Sequence, residues 1–198
     1  MSSRQQLRSR TVLAPALAVV AVVGAVLGHQ AVSASSSTHV PGAGGAALGV
    51  DDGVLPHRVS VFDDRFPAVT RLDPELLGAL RAAARAAADD GVELTVTSGW
   101  RSREHQEQLL REAVAEHGSP EEAARWVATA DTSAHVSGDG VDVGPADAMS
   151  WLAQHGAAFG LCQVYANEPW HHELRPEAVD SGCPRPYADP TEDPRLHG

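Results

Sequence analysis

Two short stretches, Ser133 to Asp142 and Glu168 to His171, constrain this 198-residue chain more than anything else in it. Each carries one histidine and one carboxylate, and the four groups make chemical sense together only if the fold brings them to one point. The first stretch reads Ser-Ala-His-Val-Ser-Gly-Asp-Gly-Val-Asp, with His135 and Asp142 seven residues apart; the second, Glu-Pro-Trp-His, sets Glu168 and His171 three apart. A catalytic zinc ion takes three nitrogen or oxygen ligands and leaves a fourth position for water. His135, Asp142 and His171 suit that set for one Zn2+, and Glu168 is left over as a base for the water proton. Gly138 and Gly140 argue against a continuous helix between the first two, so a loop carrying His135 is expected to run into a strand, Val141 to Gly144, carrying Asp142. Odd spacing on a regular strand would send Glu168 and His171 to opposite faces, and Pro169 supplies the break that lets them converge. His172 adjoins His171, and spacing alone leaves either imidazole as the ligand.

The surrounding pattern alternates helices with short strands. Asp73-Pro74 marks a helix start, with Leu76, Leu77, Leu80, Ala84 and Ala87 at helical spacing and Asp90-Gly91 as its stop. Val92 to Thr97 alternates as a strand and delivers Ser98-Gly-Trp-Arg101 to a loop. Ser102 caps a helix to about Glu116, Ser119-Pro-Glu-Glu122 opens a short one through Val127, and Pro145 opens another that closes at His155-Gly156. Val59 to Phe62 suits a short edge strand, and Leu161 to Tyr165 is a strand leading into Glu168, with His172 to Leu174 as its continuation.

The termini differ in kind from this core. Arg4, Arg8 and Arg10 precede an apolar run from Val12 to Leu27 and a small-residue end at Val32-Ser-Ala34, which predicts a secretory signal over 1–34 or, uncleaved, a membrane anchor. Both place the remainder outside the cytoplasm. A Ser/Gly/Ala tether over 35–50, a globular domain over 51–183 and a loose Pro-rich tail over 184–198 follow. The net charge is −11, with fifteen arginines and no lysine, which speaks against a nucleic-acid partner. Cys162 and Cys183 are the only cysteines. In an exported chain the pair reads as a disulfide, worth on the order of 3 kcal/mol.

Ser133-x-His135-x-x-Gly138-x-x-x-Asp142, then Glu168-Pro-Trp-His171, preceded by Ser98-Gly-Trp-Arg101-Ser102-x-x-x-Gln106, closely resembles the zinc D-alanyl-D-alanine carboxypeptidases of the VanY type, relatives of lysostaphin endopeptidases and hedgehog signalling domains. The resemblance spans roughly Asp73 to Leu174. It implies His135, Asp142 and His171 as zinc ligands, favouring His171 over His172, and Glu168 as catalytic base. Arg101 would face the substrate's terminal carboxylate, for which a guanidinium offers a two-pronged donor. Ser133 would lie near the substrate, and Gln106 would brace the loop or the substrate. Trp100 stands where Tyr is usual, and Gly140 where Ala is common. Pattern and resemblance together imply an α+β fold, a small antiparallel sheet bearing the site with helices packed on one side. The expected partner is a peptidoglycan stem peptide met by a monomer. An endopeptidase, an L,D-carboxypeptidase and a non-catalytic zinc-containing wall-binding module are the rival readings.

Overall fold

The computed structural model describes residues 47–197, so the expected signal or anchor and most of the tether lie outside the described residues. In chain order the elements are β1 (Val59–Ser60), α1 (Pro67–Thr70), α2 (Pro74–Asp89), β2 (Thr95–Ser98), α3 (Arg103–His117), α4 (Pro120–Ala123), α5 (Ala134–Ser137), β3 (Gly140–Gly144), α6 (Ala146–His155), β4 (Leu161–Gln163), β5 (His171–Leu174) and α7 (Ala178–Ser181). The five strands form one sheet in the order β1-β2-β3-β5-β4, antiparallel at every pairing. This is the α+β architecture expected. Among the described residues no helix is long and apolar enough to cross a membrane.

The helix starts follow their capping residues. Asp73 accepts from the backbone N–H of Glu75 and Leu76, Ser102 from that of His105, and Ser119 from that of Glu122. Helix α2 buries Leu76, Leu80, Ala83, Ala84 and Ala87, and α6 buries Ala148, Trp151 and Leu152. Their apolar faces meet Val96, Val141, Val143 and Leu161 of the sheet in one core. Truncating fully buried Leu76 or Leu80 to Ala should cost about 2–5 kcal/mol. Strand β2 starts later than its alternation suggests, because the Val92 N–H is drawn back to the Ala87 carbonyl (2.8 Å) to finish the end of α2.

Strand alternation then sorts the polar residues onto the other face of the sheet. Val141 and Val143 enter the core, so Asp142 between them points away. The register pairs Asp142 with Ser98 on one side and His171 on the other. Glu173 is paired with Gly140 and Cys162. One face of the central strands therefore carries Ser98, Asp142, His171, Glu173 and Cys162.

Two expectations need correction. His135 lies not on a loop but in the four-residue helix α5, whose N-cap is Ser133. Gly138 ends that helix at φ +89°, a conformation that costs a residue with a Cβ, and a Cβ there would stand 2.6 Å from the Arg71 carbonyl oxygen. The segment after Cys183 is not a loose tail. Asp189, Pro190 and Asp193 are buried, and Tyr187 bridges in parallel to Tyr165. Its acidic side chains find arginine partners and its prolines open two short 3-10 turns, Pro190–Glu192 and Pro194–Leu196, so a composition that suits disorder is held by paired charge.

Candidate metal centre and active-site cavity

The geometry of the sheet face does most of the assembly. Asp142 on β3 and His171 opening β5 are directly paired residues on adjacent strands, and α5 lowers His135 onto them from the side. His135 Nε2 lies 3.4 Å from Asp142 Oδ1, and His171 Nδ1 lies 3.1 Å from the same oxygen. One ligand atom from each residue falls within 4.8 Å of the other two, and all three side chains are buried. The two imidazole rings meet edge to face with centroids 4.9 Å apart. Gly140 makes room for this: a Cβ at that position would stand 2.8 Å from His171 Cε1.

The outward atoms of each group are held by something else, which fixes what the inward atoms are. His135 Nδ1 is 2.8 Å from the Gly99 carbonyl, which can only accept, so Nδ1 carries the proton and Nε2 presents a lone pair. Asp142 Oδ2 accepts from Arg101 Nη2 at 2.9 Å, leaving Oδ1 facing inward. His171 Nε2 faces Glu173 Oε1 at 3.4 Å, and its Nδ1 faces the cluster. His172 points to the opposite face, buried, with Nδ1 3.0 Å from the Trp170 carbonyl. The structure thus gathers His171, and not His172, with His135 and Asp142.

Burial and charge set the proton affinities. Burial, aided by the Arg101 charge, pushes His135 down to about 4, so it is neutral near neutral pH. Burial also works against charge on His171, but its hydrogen bonds to Asp142 and Glu173 prevail and raise it to about 9. Asp142 is held well below the usual carboxylate range: desolvation opposes ionisation, and the neighbouring histidines and Arg101 overcome it. Burial lifts Glu168 to about 7, into the range where a carboxylate can both take and return a proton.

These groups line a cavity of about 520 Å3. Its walls include Arg101, Gln106, Ser133 and Glu168 together with the three clustered residues, and it continues along α3 and α4 to Trp126. Arg101 is less free than a carboxylate reader would be. Its guanidinium donates to Ser98 Oγ (2.8 Å), Gln106 Oε1 (3.0 Å) and Asp142 Oδ2 (2.9 Å). Gln106 is fully buried and donates to the Ala128 carbonyl, so it braces the loop and Arg101 at once. The Ser133 hydroxyl accepts from the His135 N–H (3.3 Å), which fixes the turn that carries the imidazole.

Sequence reasoning missed Glu173, Tyr165, Asp193 and Arg195. The signal for Glu173 was present, because two residues beyond His171 on a strand is the same face. Tyr165 stacks on His171 from six residues upstream, and Asp193 and Arg195 reach the site through pairing across 22 or more residues. Cys162 and Cys183 are bonded in the structure, Cα to Cα 5.5 Å.

The family model for VanY, D-alanyl-D-alanine carboxypeptidase, matches residues 69–177. A D-alanyl-D-alanine carboxypeptidase of Enterococcus faecalis (strain ATCC 700802 / V583) is 30% identical over 143 residues, covering 60% of this chain. The chain spans 53% of the length of that relative. Two solved structures share the fold. One is the vancomycin resistance D,D-pentapeptidase VanY from a VanB-type resistance cassette, a Glu-to-Ala mutant in complex with Zn(II). It has a TM-score of 0.51 and 26% identity, over 57% of this chain and 80% of that one. The other is VanYB in complex with D-alanine-D-alanine, TM-score 0.52 and 27% identity, over 56% of this chain and 74% of that one. With more than half of its length under the family model, the chain belongs to the VanY family of D-alanyl-D-alanine carboxypeptidases.

Proposed function

We propose that the protein is a zinc-dependent carboxypeptidase that removes the terminal D-Ala from peptidoglycan stem peptides outside the cytoplasm. The observation that carries this reading is the convergence of three possible ligand atoms, His135 Nε2, Asp142 Oδ1 and His171 Nδ1, on the wall of a cavity that Glu168 also lines. The donor set fits zinc: ligands about 2.0–2.1 Å from a tetrahedral ion stand about 3.3 Å from one another, and the two short separations here are 3.1 and 3.4 Å. No proton sits between His135 Nε2 and Asp142 Oδ1 to reconcile them, so a cation is the natural occupant. When bound, zinc supplies Lewis-acid polarisation of the scissile carbonyl and makes water a stronger acid. Glu168, poised by burial, accepts the proton of the attacking water and returns it to the leaving amine. Arg101 fixes Asp142 and lines the cavity, where a terminal carboxylate would be read. The disulfide suits an oxidising compartment outside the cytoplasm.

A second reading has its own observation. Because Arg101 already serves three protein acceptors and the cavity runs well past the metal cluster, a cut within a longer peptide would also be accommodated. Mass spectrometry of a muramyl pentapeptide ending in D-Ala-D-Ala, incubated with the purified protein, separates the two. Loss of one alanine, abolished by a chelator and restored by zinc, is the expected result. An intact pentapeptide, with cleavage seen only in cross-linked peptidoglycan, would overturn the carboxypeptidase reading in favour of an endopeptidase.

A further inference from the structure

Glu173 is a buried carboxylate that the proposed reaction does not use, and its surroundings explain why it is there. Its Oε1 faces His171 Nε2 at 3.4 Å, while Oε2 accepts from Arg175 Nη2 (2.8 Å) and Arg195 Nη1 (2.6 Å). Burial alone would favour the neutral acid, but the hydrogen bonds from His171 and Arg195 hold it down to about 2. Arg195 is in turn clasped by Asp193, and Asp193 Oδ2 accepts from the hydroxyl of Tyr165 at 3.0 Å. The Tyr165 ring stacks on His171, centroids 5.4 Å apart and planes within 22°. Two independent contacts on the His171 ring, one at its edge and one on its face, therefore lead back to residues 193 and 195. Both residues lie beyond the 69–177 segment that the family model covers.

We infer that Glu173 is the positioning residue for His171, and that the C-terminal segment, through Arg195, holds Glu173 in that role. This rests on the zinc reading above, since the atom being positioned is the proposed ligand Nδ1. An acceptor at Nε2 fixes the imidazole tautomer that leaves the lone pair on Nδ1, orients the ring and raises its basicity. Arg175 and Arg195 together pin Oε2, which leaves Oε1 turned toward His171; without them nothing would hold the carboxylate in that orientation.

The test measures zinc affinity of the metal-free protein by competition with a chromophoric chelator, and melting of the same samples, in wild type and three variants. Glu173→Leu removes the acceptor and should weaken zinc binding by about 10- to 100-fold. Glu173→Gln keeps an acceptor for His171 but presents an amide donor to Arg175 and Arg195. It should therefore melt at least as early as Glu173→Leu while binding zinc close to the wild-type affinity. Arg195→Met, at a side chain 44% exposed, should weaken zinc in the same direction but less, because Arg175 remains. Equal zinc affinity in Glu173→Leu and Glu173→Gln would overturn the inference and leave Glu173 a purely structural anchor. If Glu173→Leu does not fold, Arg195→Met decides, and an unchanged affinity there overturns it. Failure of the wild type to bind zinc at all would instead overturn the functional reading on which the inference stands.

Discussion

The two faces of the His171 ring edge open onto two charge clusters that could hardly be balanced more differently. On the Nδ1 side, Asp142 Oδ1 and His135 Nε2 turn lone pairs toward the same point. On the Nε2 side, Glu173 and Asp193 meet Arg175 and Arg195, so that each carboxylate has a cationic donor within reach. The second cluster is complete as protein alone, whereas on the proposed reading the first is completed by a cation. The carboxylates are buried in both, so their depth does not distinguish a candidate metal centre from a structural ion network. What distinguishes them is the match of donors to acceptors.

The largest break in this comparison comes from the group that belongs to neither cluster. Glu168→Gln should leave zinc content unchanged and lower kcat by about 10²–10⁴-fold, because only the proton transfer is lost. Metal analysis alongside turnover of the pentapeptide checks it, and a variant that kept full activity would remove Glu168 from the chemistry.

A second test reads the Nδ1 side through its protons. Near pH 7.5 the metal-free His171 is charged, since its pKa is raised to about 9, whereas His135, lowered to about 4, is already neutral. Zinc must displace the proton on His171 Nδ1 and none on His135. Binding should therefore release protons, and affinity should rise about tenfold per pH unit from this group as pH climbs toward 9, then level off. Calorimetry in buffers of different ionisation enthalpy measures the count directly. No proton release at pH 7.5 would mean that His171 is neutral before the metal arrives.

The smallest effect belongs to the periphery of the balanced side. Arg125 pairs with Asp189 at 3.0 Å from a half-exposed position, so Arg125→Ala should cost no more than about 1 kcal/mol of stability and leave zinc affinity untouched. A thermal melt in parallel with a zinc titration tests this. A loss of zinc affinity there would show that the C-terminal segment acts on the metal centre by more routes than Arg195.

How much of this was legible in the chain follows from how local each interaction is. Asp73, Ser102 and Ser119 announce helix starts because a cap is a contact with the next two or three residues. The grouping of His135, Asp142 and His171 was readable from two short strings, since strand pairing of Asp142 with His171 needs only that the strings be neighbours in the sheet. The helix under His135 was hidden because its four residues are too few to show a period, and Gly138 looks the same in a loop as at a helix end. The engagement of Arg101 with Asp142 joins residues 41 positions apart in the chain. The packing of 184–197 was hidden for a different reason: proline and charge resemble disorder unless the partners of each charge are known, and beyond the internal Asp193–Arg195 pair those partners are Glu173, Arg125 and Tyr165, outside the segment.

The bond between Cys162 and Cys183 joins residues 21 apart and so encloses Glu168, His171 and Glu173 in one covalent ring. Residues 181–183 are exposed at the rim of that ring, where a protease would readily find the backbone. A nick there would cut the chain without releasing anything when it falls inside the ring: the piece bearing Arg195 would still be fastened to β4 through sulfur. The centre formed by His171 and Glu168 thus stays on one covalently linked body even when the backbone is broken, as long as the cysteines stay oxidised.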